Sequence, residues 1–185
     1  AAAAAARTID IAAAKVVIHP MLVGGSFGAR YEDGVVGPAA VLAKKLGRPV
    51  QVVRSRSEEM RRDAFRAPAA ARMAARVEPD GRIVAWYAQI AAPATLHEMR
   101  ARLGEGKSAH EAMAAAHEAA EPGAIAGAVP PYDIPIHAID HHPASIGIPS
   151  GDWRGGAHVA NAFFRECFVD ELAHMTGGEP FGIRM

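Results

Sequence analysis

Ala69-Ala70-Ala71-Arg72-Met73-Ala74-Ala75-Arg76-Val77, then Glu78-Pro79-Asp80-Gly81, then Arg82-Ile83-Val84-Ala85-Trp86-Tyr87-Ala88-Gln89-Ile90, is the stretch that decides the fold. Two strand-like runs joined through Asp80-Gly81 predict an antiparallel hairpin. Alternation along the second arm puts Ile83, Ala85, Tyr87 and Gln89 on one face and Val84, Trp86, Ala88 and Ile90 on the other, a pattern for a mostly buried strand.

Upstream, the chain reads differently. Lys15-Val16-Val17-Ile18-His19 predicts a short strand, Gly24-Gly25-Ser26-Phe27-Gly28-Ala29-Arg30 a nearly side-chain-free turn, and Asp33 to Leu46 a helix closed by Gly47. Pro49-Val50-Gln51-Val52-Val53-Arg54 predicts a second strand, and Arg54 and Arg56 stand where a ribose 2′-phosphate would be held. The order imitates a dinucleotide-binding unit, but the glycines do not follow G-x-G-x-x-G. The hairpin that comes next is not another crossover unit, so a nicotinamide cofactor is not favoured.

The Gly24–Gly28 turn has two readings. Backbone amides at a helix start can cradle an anion, with Arg30 adding a forked contact to phosphate. Equally, the glycines satisfy an ordinary turn that needs positive φ. A second glycine-rich strand-to-helix turn, Ser150-Gly151-Asp152-Trp153-Arg154-Gly155-Gly156, also carries an arginine. It opens a predicted helix from about His158 to Met175, with Phe164, Phe168, Leu172 and Met175 as its core stripe, Phe163 and Cys167 widening it, and Gly177-Gly178 as its stop.

Between the hairpin and that turn, Thr95 to Ala120 predicts a peripheral, alanine-rich helical insert, with Ser108-Ala109-His110-Glu111 as a capping box. Ser57-Glu58-Glu59 starts a short helical segment, Pro122 to Pro135 is loop-like, and Ile136 to Ile148 holds one or two short strands.

Composition limits the chemistry. The 185 residues are 50% hydrophobic, enough for one domain with a real core. Twenty basic and twenty acidic side chains balance, so no overall field favours nucleic acid. A single cysteine, Cys167, excludes a disulfide framework and a four-cysteine metal site within the chain. No transmembrane run is present, and Ala1 to Ala6 lacks the features of a signal peptide.

His137, His141 and His142 look like ligands, but strand geometry turns His142 away from the other two, and a hydrogen-bonded or solvated role is favoured over metal binding. His97-Glu98 and His110-Glu111 lack the second histidine of a zinc motif and read as exposed helix residues. Arg165, Glu166, Asp170 and Glu171 read as ion pairs or a solvated face rather than an acid–base pair.

Gly24 to Arg30, then Gly47-Arg48-Pro49-Val50-Gln51-Val52-Val53-Arg54-Ser55-Arg56, then Trp153-Arg154 through Phe163-Phe164 to Glu166, Phe168 and Asp170-Glu171-Leu172-Ala173 occur in an order that resembles a known family. It is the large, molybdopterin-binding subunit of the xanthine dehydrogenase and aldehyde oxidase family, in particular the isoquinoline 1-oxidoreductase β-subunit type. Asp80-Gly81-Arg82-Ile83-Val84-Ala85-Trp86 and the Pro131-Tyr132 to Ile134-Pro135 segment also fit.

The resemblance implies an α+β (mixed α/β) fold: a sheet with an antiparallel hairpin and packed helices, a single molybdopterin-binding domain over residues 1–185 with its helical insert at about 95–120. It implies that Gly24, Gly25, Phe27, Gly28 and Arg30 face the cofactor and that Arg154 is the catalytic, pocket-lining arginine, with Trp153 and His158 beside it. The implied cofactor is molybdopterin, in its simple or cytosine-dinucleotide form, with molybdenum. The implied reaction hydroxylates an N-heterocycle or aldehyde with water, and electrons leave through iron–sulfur clusters on a small partner subunit.

This sequence departs from the family at Ser26, where glycine is frequent, and at Gly155-Gly156-Ala157. It contains neither the Gly-x-Gly-Glu segment with the catalytic glutamate nor the upstream glutamine of the molybdenum centre. The expectation is a fragment of a larger subunit, inactive alone. The alternative is a non-catalytic remnant or assembly module of the same fold that binds no cofactor.

Overall fold

The hairpin forms and organises a mixed sheet in the computed structural model, which describes residues 1–32 and 34–185. Strand β1 (Phe65–Arg66) leads to β2 (Ala70–Val77), and β2 pairs antiparallel with β3 (Ile83–Ala92) in the register Met73↔Ala88 and Ala74↔Tyr87. A slip between Arg76 and Val77 sets Val77 opposite Ile83. The other edge of β3 takes β4 (Ile136–Pro143) in parallel, so the sheet order is β2-β3-β4. A short parallel pair joins β1 to β5 (Ser150–Gly151).

Seven α-helices surround these strands among the described residues: α1 (Ala2–Ile9), α2 (Val36–Leu46), α3 (Arg56–Arg62), α4 (Thr95–Met99), α5 (Ala109–Ala116), α6 (His158–Thr176) and α7 (Pro180–Arg184). The fold is α+β. Gly47 ends α2 in the left-handed region (φ 62°), as its position after the apolar stripe predicts; the predicted start at Asp33 lies outside the described residues. Ser55 caps α3 by accepting from the Glu58 amide, and Ser108 and Glu111 form the capping box of α5.

The core lies between the sheet and α6. Ile83, Trp86, Ile134, Val169 and Leu172 pack together, and Trp86 meets Phe168 edge-on at 5.1 Å between ring centroids. Ile90, Ala92 and Ala128 form a second cluster, with Ala69, Ala71, Ile125 and Ile139 packed against it. Complete burial of a side chain such as Ile90 contributes about 1.5–3 kcal/mol.

Four sequence expectations need correction. Lys15–His19 and Pro49–Arg54 are not strands: neither enters a ladder, and Val17 and Val53 stand in solvent. A strand exists only beside a neighbour that accepts its hydrogen bonds, and no described segment offers one. On α6 the buried stripe is Asn161, Val169, Leu172 and Ala173, while Met175 and Phe163 are exposed. Leu172 is in the stripe as expected and Phe168 packs against the core, so the correction concerns Met175 and Phe163, with Asn161, Val169 and Ala173 taking the other buried positions. Finally, the 95–120 segment is woven into the fold, with Glu98, Met99, Ala101, Ala112 and Ala116 buried. Its alanines allow the close approach that a bulkier helix face would prevent.

Candidate functional site

Pairing of β1 with β5 brings Arg66 beside Gly151, and the chain then turns through Asp152–Gly156 into α6. Gly155 and Gly156 take positive φ values of 85° and 47°, and the Gly156 amide donates to the Trp153 carbonyl at 2.7 Å. Trp153 is anchored from its ring, whose Nε1 donates to the Ala64 carbonyl at 2.9 Å.

Against this turn stands the first glycine loop. Gly28 (φ 110°) has no room for a side chain: a Cβ there would lie 2.2 Å from the Asp152 oxygen and 2.8 Å from the Trp153 Cα. Phe27 is itself left-handed (φ 49°), a costly state for an aromatic residue. Its carbonyl accepts from the Arg154 amide at 2.7 Å, and the Arg154 guanidinium lies 5.7 Å from its ring centroid.

A cavity of about 640 Å³ opens between the two loops and the start of α6. Its lining includes Phe27, Gly28, Arg66, Arg154, His158 and Asn161. Helix α6 has no side-chain cap, and its first backbone bond runs from the Asn161 amide to Ala157. The amides of His158, Val159 and Ala160 therefore have no carbonyl to meet within the helix, at the positive end of a 19-residue dipole. Arg66 stands at the same mouth and donates to the Arg154 carbonyl at 3.0 Å. These donors favour an anionic ligand.

The opposite wall is uncharged or self-satisfied. Asn161 donates both amide hydrogens, to Ala124 and Ala126 carbonyls at 3.0 Å, which leaves its buried Oδ1 as an acceptor without a partner. Glu121 accepts from the Leu96 and His97 amides at 2.9 and 3.1 Å and so caps α4. Burial raises its carboxyl pKa, and those two N–H bonds oppose the rise. The Glu121 amide donates to His141 Nδ1, which fixes Nε2 as the ring donor toward the Ala92 carbonyl at 2.9 Å. His141 thus serves as a brace.

Of the residues singled out from sequence, Phe27, Gly28 and Arg154 meet at the cavity, with Trp153 and His158. Gly24, Gly25 and Arg30 are not brought into its wall: Gly24 faces open space, Gly25 touches the Phe27 ring, and Arg30 projects from an exposed turn over Ala29–Tyr31. Arg66, Glu121 and Asn161 escaped the sequence reading. A polar residue at the head of an otherwise apolar helix stripe was the available signal for Asn161; Arg66 and Glu121 carry none.

Glu98, expected in solvent, is 4% exposed and binds Ser150 through its amide and hydroxyl, both at 2.9 Å. Glu166, read as a solvated or ion-paired carboxylate, joins Arg165 and Arg184 and accepts from the Tyr132 hydroxyl at 2.7 Å.

The chain as a whole is similar to known proteins. The family described as molybdopterin cofactor-binding domain matches residues 1–185. Isoquinoline 1-oxidoreductase subunit beta of Brevundimonas diminuta is 32% identical over 182 residues, 98% of this chain and 22% of that protein. Membrane-bound aldehyde dehydrogenase [pyrroloquinoline-quinone] of Gluconacetobacter polyoxogenes is 28% identical over 97% of this chain and 23% of its own length. A probable xanthine dehydrogenase subunit of Bacillus subtilis is 28% identical, with 97% of this chain and 22% of that protein covered. The chain spans a little over a fifth of these relatives. Among the described residues no helix is long and apolar enough to cross a membrane.

Proposed function

Because this chain belongs to the molybdopterin cofactor-binding domain family, we propose that it contributes one cofactor-facing wall to the large subunit of a molybdenum hydroxylase. The substrate class is an N-heterocycle or aldehyde, and the oxygen comes from water. The observation that carries the reading is the convergence of two glycine-rich loops, Arg66, Arg154 and the uncapped start of α6 on one cavity.

The residues fit the group. Gly28 lets the first loop close against the Asp152 backbone, the free amides at 158–160 suit phosphate oxygens, and Asn161 Oδ1 suits a pterin N–H. When bound, the cofactor supplies two-electron oxidation, R–H + H₂O giving R–OH with two protons and two electrons, and the electrons pass to a small iron–sulfur partner. Arg66 and the α6 amides hold the cofactor's anionic groups. Arg154 orients substrate and stabilises negative charge that develops on it, held in place by the Phe27 ring. Phe27 and the alanines of the wall exclude water from the reacting face.

Glu121 is committed to capping α4, so the proton-accepting glutamate is assigned to the remainder of the large subunit. The isolated chain is accordingly inactive. The test is the molybdenum and pterin content of the chain purified after co-expression with an iron–sulfur subunit and any flanking polypeptide. Phe27→Ala and Arg154→Ala are expected to lower that content. Content at background in the wild type favours the non-catalytic module instead, whereas wild-type content retained in both variants removes Phe27 and Arg154 from the cofactor-holding wall.

A further inference from the structure

Arg102 lies outside the cavity wall, in the single π-turn Arg100–Gly104 that follows α4. It nevertheless touches both segments that build the wall. Its Nη2 donates to Glu32 Oε1 at 2.7 Å and to the Ser150 carbonyl at 2.8 Å, and its Nη1 lies 3.5 Å from Glu98 Oε2. Glu32 follows Tyr31, at the end of the first glycine loop; Ser150 precedes Gly151, at the start of the second. Both Tyr31 and Gly151 line the cavity.

The clamp is well buried, with side-chain exposure of 11% for Arg102 and 5% for Glu98. Glu98 holds Ser150 from below, and Thr95 donates to the Ser150 hydroxyl at 3.0 Å, so the Ser150 end of the bridge is fixed. The Glu32 end is tied to the same guanidinium nitrogen. One planar, rigid group thus fixes the separation of two chain segments more than a hundred residues apart.

We propose that Arg102 is a positioning residue that sets the gap between the two glycine-rich walls, with Glu98 as the buried counter-charge that holds it in place. A lysine would keep the charge and lose the fork. A merely structural role would be to hold α4 in the fold, and its loss would loosen every neighbouring element alike. The consequence for ligand binding rests on the cofactor reading above; the geometric assignment does not.

The Arg154 amide provides the local readout, because its bond to Phe27 is a backbone contact between the two walls. Native-state hydrogen exchange on the full chain is expected to show Arg154 exchanging about tenfold faster in Arg102→Lys, the scale of one lost hydrogen bond to a charged group. Amides of the β2–β3 ladder should keep their wild-type rates. Glu32→Gln, which weakens only the arm toward the first loop, should reproduce the effect and decides the matter if Arg102→Lys fails to fold. An unchanged Arg154 rate in the folded variants overturns the proposal, as does equal acceleration of Arg154 and the ladder. Pterin content measured on the co-expressed variants separates the two ideas: faster Arg154 exchange with unchanged content leaves the clamp standing and counts against the cofactor reading.

Discussion

The two glycine-rich walls face each other across one cavity but are held by unequal means. The Ser150–Gly156 wall is rooted: Ser150 is fully buried, Trp153 is tied to Ala64, and the chain continues into α6, whose Val169 and Ala173 are at the centre of the core. The first wall, formed by Phe27, Gly28 and Tyr31, belongs to a region in which no described residue between Arg7 and Arg82 is buried. Among the described residues its attachments to the other wall include the Phe27–Arg154 backbone bond, the Arg154 guanidinium over the Phe27 ring, the close approach of Gly28 to Asp152 and, through Arg102, the Glu32 ion pair. One wall is a fixed template and the other docks on it. Segments with so little buried surface open at a small fraction of the global unfolding free energy, so the cavity's geometry is set at the contacts between walls.

The largest expected effect lies on the rooted side. Trp86→Ala removes a side chain that is 2% exposed and contacts Phe168, and should cost about 3–5 kcal/mol in urea denaturation. A loss below about 1 kcal/mol would mean that the sheet and α6 do not form the stable half, and the contrast fails. Gly28→Ala addresses the contact itself. Its Cβ would strike the Asp152 oxygen from a positive φ, with an expected cost of about 1–3 kcal/mol. The damage should be local: faster exchange of the Arg154 amide, with the β2–β3 ladder protected as before.

The part of the molecule that the sequence describes best is the part whose stability is local or pairwise. The hairpin follows from Asp80-Gly81 and alternation, the α5 cap from Ser108 and Glu111, and the two glycine turns from their lack of side chains. The two missing strands failed for a physical reason, since Val16 and Val53 have strand propensity but no neighbouring ladder. Half of the candidate site was visible as motif: Phe27, Gly28 and Arg154. The other half came from burial and capping, which depend on contacts distant in sequence. Glu98 and Arg102 sit in an alanine-rich helical stretch that looks solvated until Ser150 arrives from about fifty residues away. Asn161, which no sequence motif marks, ties α6 to the Ala124–Ala126 turn.

A smaller effect concerns the C-terminal end of the rooted half. Burial alone would raise the Glu166 carboxyl, but hydrogen bonds from Tyr132, Arg165 and Arg184 outweigh it and hold the pKa at about 2, down from 4.5. The folded value is depressed, so the group stabilises the fold above pH 4.5, and that contribution is lost as pH falls toward 2. Because the side chain is 36% exposed, the screened contribution is about 1 kcal/mol. Glu166→Gln should therefore flatten the stability profile over that acid window. Urea midpoints that keep the wild-type slope there would place the acid sensitivity elsewhere.

The smallest expected effect is the sharpest test of the docked wall. Leu22 is completely exposed, and Val17, Ile18, Met21 and Val23 around it are also in solvent, so none of them contributes to the core of this chain. Leu22→Ser should change the unfolding free energy by no more than about 0.5 kcal/mol, whereas an equally apolar residue in the Val169 layer would cost several times that. A loss above about 1 kcal/mol would show that residues 17–23 fold back onto the protein and that the first wall has a core of its own. A neutral result with an unchanged Arg154 exchange rate would instead place the whole attachment of this wall downstream of Gly25, at Phe27, Gly28 and Glu32, where the Arg154 amide, the Asp152 backbone and the Arg102 fork meet it.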